Sequence, residues 1–200
     1  MTSQMGGMDV NAIVTRLRRL AMLDTSVFDE VRTDAAATLP AILIVIAATL
    51  LSGLGGWLWW IFGGYTDAGT ILTKSAIIGT IVAVVLWFVW VGIVYVMLGQ
   101  VFRARVDAQE LVRVMGFAAA PLALGILMSI HRLDYGIGIA VLGILFGTTQ
   151  IAIQTATDAT AGRALAANAA GFAVWAIVLN LLVSADNPLA PGVFIFAPFY

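Results

Sequence analysis

The sequence predicts an all-α, polytopic membrane protein: a bundle of five transmembrane helices with an amphipathic interfacial helix before it. Hydrophobic residues make up 62% of the 200 residues and charged residues only 10%, whereas soluble domains carry about 45–50% and about 25%. Five apolar stretches reach the roughly 20 residues that a spanning helix needs. Basic residues concentrate in alternate connections between these stretches. Together these features predict a chain whose solvent is the bilayer.

The first predicted unit is a cytoplasmic segment over residues 1–34. Its arginines alternate with acidic residues before any long apolar run begins, so we expect a retained segment and not a cleaved signal peptide. Within it, residues 10–21 place an apolar stripe opposite Arg16, Arg18 and Arg19. This pattern is typical of a helix in the headgroup layer, with the three arginines at the membrane interface. Packing against the ends of the bundle and docking to a partner remain alternatives.

The second predicted unit is a membrane domain over residues 35–183. None of its apolar stretches has an ionisable residue in its middle. The third and fourth are joined by only four residues, which predicts an antiparallel hairpin. The predicted spans are residues 35–60, 75–99, 111–130, 135–157 and 164–183.

The basic residues predict the orientation of the bundle. Eight of the ten lie at one end of the predicted spans, and only Lys74 and Arg132 lie at the other. Cytoplasmic loops carry the excess of lysine and arginine, so the eight-residue end is predicted to be cytoplasmic. The N-terminus is then inside, and the odd number of spans puts the C-terminus outside. We expect the inner (plasma) membrane of a bacterium.

Aromatic and proline residues mark the predicted outer side. Trp57, Trp59 and Trp60 end the first span, which is typical of an aromatic belt at the membrane interface. The third predicted unit, residues 184–200, is an apolar tail interrupted by prolines. It is too short to span, so we expect it to lie along the outer interface or against a neighbour.

Small and amide side chains in the fourth span predict helix packing. Gly143 and Gly147 form a GxxxG pair that favours close helix approach, in this chain or with another. Gln150 and Gln154 share a face, and interhelical hydrogen bonds are preferred to a polar path because no charge accompanies them. Pro121 predicts a kink in the third span and a freed carbonyl near Phe117.

Catalytic, metal and cofactor sites find little support. The chain has no cysteine and one histidine, His131, and the spans contain no paired carboxylates for acid–base chemistry. Neither a nucleophile elbow, a zinc-protease motif nor a P-loop occurs. We therefore expect a protein that is not an enzyme, with no cofactor and no metal.

Three connecting segments resemble bacterial members of the Yip family. Residues 23–34 resemble an L-D-x-x-x-F-x-E-[VI]-x-x-D segment that precedes the first span. Residues 110–121 resemble the family's E-L-x-R-x-x-G-[FY]-x-x-x-P start of the third span. Residues 156–164 resemble its A-x-D-x-[TS]-x-G-R-A link. The three occur in order, and the resemblance covers about residues 20–183.

The resemblance implies a five-helix domain with a cytoplasmic N-terminus. Eukaryotic relatives contact Rab-type GTPases, but residues 116–121 keep only the glycine, an aromatic and the proline of their G-Y-S-L-x-P run. That activity is therefore not carried over. The matched arginines are expected to pair with Asp107, Glu110 or Asp158. The candidate partner-binding residues are Phe28, Glu30, Asp34, Arg113, Gly116, Pro121, Asp158 and Arg163.

Three functions remain open. The preferred hypothesis is a non-enzymatic membrane adaptor or organiser acting through protein–protein and protein–lipid contacts. The alternative is an accessory structural subunit of a larger respiratory or photosynthetic membrane complex, and the third is a small transporter. The expected partners are the lipid bilayer and a membrane protein or a second copy of the chain, and no nucleic acid.

Overall fold

The computed structural model describes residues 9–64, 66–130, 132–184 and 187–188. His131 and most of the predicted tail lie outside the described residues. The regular secondary structure of the described chain is helical except for a two-residue antiparallel ladder between β1 (Val183–Ser184) and β2 (Asn187–Pro188). The helices are α1 (Val10–Ala21), α2 (Val27–Thr33), α3 (Thr38–Phe62), α4 (Ala68–Ile71), α5 (Gly79–Val96), α6 (Ala108–Ala118), α7 (Asp134–Ala156) and α8 (Ala161–Leu181).

The predicted all-α bundle is confirmed. Five helical stretches of the described chain are long and apolar enough to cross a membrane: Ala35–Phe62, Ala68–Val101, Ala108–Ser129, Asp134–Ala156 and Ala161–Leu181. We call them spans one to five. The chain therefore has the architecture of an integral, multi-pass membrane protein.

Span two is longer than the sequence pattern predicts. It begins at Ala68, not near residue 75, and π-helical segments at Leu72–Ile78 and Met97–Val101 flank α5. Lys74 thus lies in the second turn of a helix, where the sequence pattern placed a loop. Both π-helical segments lie within one continuous helical stretch of 34 residues.

Pro121 changes the type of helix in span three. The α-helix ends at Ala118, and a 3₁₀ segment continues over Ala120–Ser129 with proline in its first turn. Proline has no N–H to donate to the preceding turn. The carbonyl of Ala118 instead accepts a hydrogen bond of 2.8 Å from the Thr148 hydroxyl of span four. This is the freed carbonyl that the sequence predicted, one residue beyond Phe117.

Glycines let span one contact its neighbours backbone to backbone. A Cβ on Gly55 would overlap the carbonyl oxygen of Gly125, and one on Gly53 would lie 2.7 Å from the carbonyl oxygen of Ser75. A Cβ on Gly116 would lie 2.7 Å from the Cβ of Ala41. Span one is therefore held between spans two and three at separations that no larger side chain permits.

The GxxxG pair behaves differently. Gly143 and Gly147 are exposed, and no described atom outside their own helix lies within 4 Å of a Cβ built on either residue. Within the described chain this pair is not a packing surface. Gln150 does make the predicted interhelical contact, since its Oε1 accepts from Nδ2 of Asn168 at 3.3 Å. Gln154 is exposed.

The tryptophans of the predicted aromatic belt connect the neighbouring ends of three spans. Trp57 donates to the carbonyl oxygen of Ala68 at 3.0 Å, and Trp59 donates to the carboxylate of Asp134 at 2.7 Å. Trp60 is buried, with its ring edge-on to that of Trp59. These contacts join span one to spans two and four. The predicted interfacial position of the three rings remains a prediction.

Candidate functional site

The arginine-rich end of the bundle begins with a hairpin of α1 and α2. Ile13, Leu17 and Leu20 pack against the core, whereas Val10 and Val14 remain exposed at 60% and 58%. The apolar stripe of α1 is thus divided between the bundle and solvent or lipid. One edge of α1 packs against the bundle, as the packing alternative predicted. The exposed edge still agrees with a helix that lies in the headgroup layer.

Ion pairs hold α1 to the segment that follows it. Arg16 contacts the carboxylate of Asp34 at 2.8 Å, and Arg19 contacts those of Asp24 at 2.8 Å and Glu30. The hydroxyl of Ser26 and then the Arg19 guanidinium lower the pKa of Asp24 below its usual value. Hydrogen bonds from Arg19 to Asp24 and Glu30 raise its own pKa. The Arg19–Asp24 pair therefore stays charged across the neutral range. Glu30 and Asp34 are also engaged in ion pairs within the chain.

Helix α2 is attached to the bundle by its apolar face. Val27 and Val31 are fully buried and Phe28 is 1% exposed. The segment is therefore docked onto the bundle through Phe28 and its two valine neighbours. The same burial places the Phe28 ring inside the protein, where it supports α2 and offers little surface to a partner.

Arg113 is bound to the backbone of α2 and not to an acidic side chain. Its Nε and Nη2 donate to the carbonyl oxygen of Arg32 at 3.1 and 2.6 Å, and Nη1 lies 3.4 Å from the Thr38 hydroxyl. The side chain is nine-tenths buried, with Arg113 only 6% exposed. The expected pairing with Asp107, Glu110 or Asp158 was wrong, because a nearer group, an unsatisfied helix-end carbonyl, takes the guanidinium donors.

Two further side chains fix the loop between spans two and three. The carboxylate of Asp158 accepts from the backbone N–H of Arg105 at 2.7 Å. Arg163 lies 3.4 Å from the carbonyl oxygen of Phe102 and is otherwise exposed. Neither makes the expected ion pair. Asp158 and Arg163 instead join the fourth-to-fifth connection to this loop.

These attachments enclose a cleft of about 540 Å³, which we call the inner cleft. Small-molecule sites in proteins typically measure about 300–1,000 Å³. The inner cleft is lined by Arg32, Thr33, Arg105, Val106, Asp107, Glu110, Ala156, Thr157 and Asp158.

Charged groups of both signs line the inner cleft without neutralising one another. All four ion pairs of the described chain lie within residues 16–34, between α1 and the segment from Asp24 to Asp34, so none involves a cleft residue. The Nε of Arg32 is buried and has no acceptor in the described structure. One carboxylate oxygen of Asp107 accepts hydrogen bonds from two backbone N–H groups in the first turn of α6. The carboxylate of Glu110 accepts no such hydrogen bond within the described chain. Buried donors are normally satisfied, and the Nε of Arg32, a residue that lines the cleft, is an exception.

The sequence patterns selected residues that hold the walls of the inner cleft more often than residues that line it. Of the candidate partner-binding residues, only Asp158 lines the inner cleft. Gly116 and Pro121 act in span packing, and Arg113 and Arg163 hold backbone. Arg32, Thr33 and Arg105 were not among the candidates. In the sequence, Arg32 lies between Glu30 and Asp34, and Arg105 lies two residues before Asp107, but both arginines were used only to predict orientation.

The described residues show no group of three histidine, cysteine or acidic side chains placed to hold a metal ion. The chain matches no protein-family model, and no curated protein or solved structure is significantly similar to it.

Proposed function

We propose that the protein is a non-enzymatic adaptor or organiser, similar to the Yip family, that holds a partner at the cytoplasmic face of a bacterial inner membrane. The observation that carries the proposal is the convergence of three distant segments. Residues 23–34, 110–121 and 156–164 each contribute lining to the inner cleft. These are the segments that resemble the Yip family. A binding surface explains why recognisable segments separated by more than 30 residues meet at one place.

The charge distribution supports the orientation. The eight basic residues of the predicted cytoplasmic side lie at the end of the bundle that carries the inner cleft, and Lys74 and Arg132 lie toward the other end. By the positive-inside rule, this distribution favours a cytoplasmic position for the inner cleft. Here α2 and the loops between spans present both a partner surface and a cavity.

The lining chemistry favours recognition over catalysis. The inner cleft offers guanidinium, carboxylate and hydroxyl groups, with no histidine or serine among its lining residues. Such groups provide hydrogen bonds and charge complementarity, which give specificity to an interface. A transporter is less favoured, because Gln150 is bound to Asn168 while Gln154, the other candidate for a polar path, is exposed.

In-cell photo-crosslinking tests this proposal. A photoreactive phenylalanine analogue at Val106, which lines the inner cleft, should give a discrete protein adduct. The same probe at Thr66, exposed beyond the outer end of span one, should not give that adduct. The charge reversal Arg105→Glu should weaken the adduct several-fold, since its side chain has no partner to lose within the described chain.

An adduct that forms equally at Val106 and Thr66 would count against a specific partner at this face, as would the absence of any protein adduct at Val106. Identification of a stably bound respiratory or photosynthetic subunit would favour the accessory-subunit alternative. The exposed Gly143 and Gly147 are compatible with such an assembly.

A further inference from the structure

The inner cleft lies at the level where the spans end. Thr33 precedes span one by two residues, Glu110 is in the first turn of α6, and Ala156 is the last residue of α7. All three line the cleft. A ligand bound there occupies the layer in which phospholipid headgroups lie, just outside the hydrocarbon core.

The lining charges divide into two unlike sets. Arg32 and Arg105 supply guanidinium donors that have no carboxylate within 4.0 Å among the described residues. Guanidinium groups are well matched to phosphate oxygens, to which they donate in pairs. Glu110 and Asp158 supply carboxylate oxygens that accept from an ammonium group. Each set is therefore complementary to one half of a zwitterion.

The cleft is also held open by the rest of the fold. Arg113 fixes the backbone of Arg32 with two hydrogen bonds, and Asp158 fixes that of Arg105. Both guanidinium-bearing walls are thus anchored through their main chains while their side chains remain unpaired. Preorganised walls lower the entropy cost of binding. An internal ion pair would have closed the cleft, and the described structure contains none there.

We propose that the inner cleft binds the headgroup of a zwitterionic phospholipid, with phosphate at Arg32 and Arg105 and the primary ammonium at Glu110 and Asp158. Phosphatidylethanolamine has this chemistry. A trimethylated ammonium has no N–H to donate to the carboxylates, so a choline headgroup binds less well. The inference shares with the proposed function the placement of the cleft and the side chain of Arg105, and it requires no protein partner.

Binding of soluble headgroups to the purified full-length protein in maltoside micelles provides the first test. Glycerophosphoethanolamine should bind saturably by calorimetry, and glycerophosphocholine, glycerol phosphate and ethanolamine each about tenfold or more weaker. Arg105→Gln and Glu110→Gln should each weaken the binding of glycerophosphoethanolamine by a similar factor. The control Arg132→Gln, at the opposite end, should leave binding unchanged.

Reconstitution distinguishes a lipid from a free zwitterion. Native mass spectrometry after transfer from nanodiscs of mixed phosphatidylethanolamine and phosphatidylglycerol should show one retained phosphatidylethanolamine, lost in Glu110→Gln. No saturable headgroup binding, or equal binding of all four probes, would overturn the proposal. Binding of the soluble headgroup without retention of the lipid would overturn the lipid as its source. A protein adduct at Val106 bears only on the partner, so the two proposals can fail separately.

Discussion

Replacing Gly55 with alanine should be among the most damaging single-methyl changes in the bundle. The added Cβ would overlap the carbonyl oxygen of Gly125 and lie 2.7 Å from the Cα of Ile126. Both obstacles are backbone, so no side-chain rotation relieves the overlap and spans one and three must separate. Overpacking of this kind costs about 1–3 kcal/mol, and we expect the upper end. Unfolding in mixed micelles with increasing dodecyl sulfate, followed by tryptophan fluorescence, measures the loss.

Gly143→Ala is the matched control for this substitution. Gly143 is also a helical glycine in a span, but no described neighbour lies within 4 Å of its added Cβ. Its replacement should leave the stability of the isolated protein nearly unchanged, or raise it slightly through helix propensity. Equal losses in the two variants would contradict the backbone contact between spans one and three.

Replacing Arg113 with methionine should detach α2 from the bundle. The substitution preserves much of the apolar volume of the side chain but removes both donors to the Arg32 carbonyl. Hydrogen bonds from charged groups contribute about 1.5–3 kcal/mol, offset in part because the buried charge is no longer desolvated. We expect a net loss of about 1–3 kcal/mol. Hydrogen exchange of the α2 amides should quicken more than that of the spans.

Two companion variants separate geometry from charge. Arg113→Lys keeps the charge but cannot donate two parallel hydrogen bonds, so it should recover only part of the loss. Arg163→Met removes an exposed arginine whose one hydrogen bond measures 3.4 Å and should cost little. Full protection of α2 in Arg113→Met would show that its buried residues suffice for docking. Because Arg113 is structural, its substitution is a poor test of partner binding.

The spans were predictable because they depend on composition over about 20 residues, which the sequence displays directly. Packing was less predictable, since it depends on which residues meet. The GxxxG spacing pointed to Gly143 and Gly147, yet the close contacts with another span are made by other glycines: Gly53, Gly55, Gly116, Gly125 and Gly171. Asn168 lies among alanines and was overlooked, although it is fully buried and binds Gln150.

The candidate site, too, could be predicted only in part. Arg113 and Asp158 could be selected because they belong to recognisable segments, but the groups to which they hydrogen-bond could not be predicted. Both bind backbone groups brought close by folding, and a sequence does not reveal which carbonyl or N–H is left unsatisfied. The inner cleft itself joins α2, the loop before α6 and the end of α7. No pattern within one segment predicts such a space.

Cysteine accessibility tests most directly the central claim that the inner cleft faces the cytoplasm. The natural chain has no cysteine, so Thr33→Cys in the cleft and Thr66→Cys beyond span one each provide a single thiol at an exposed position. In intact spheroplasts, a membrane-impermeant maleimide should label Thr66→Cys and leave Thr33→Cys unreacted until lysis. Labelling of Thr33→Cys before lysis, with Thr66→Cys protected, would invert the topology and remove the basis for a cytoplasmic partner.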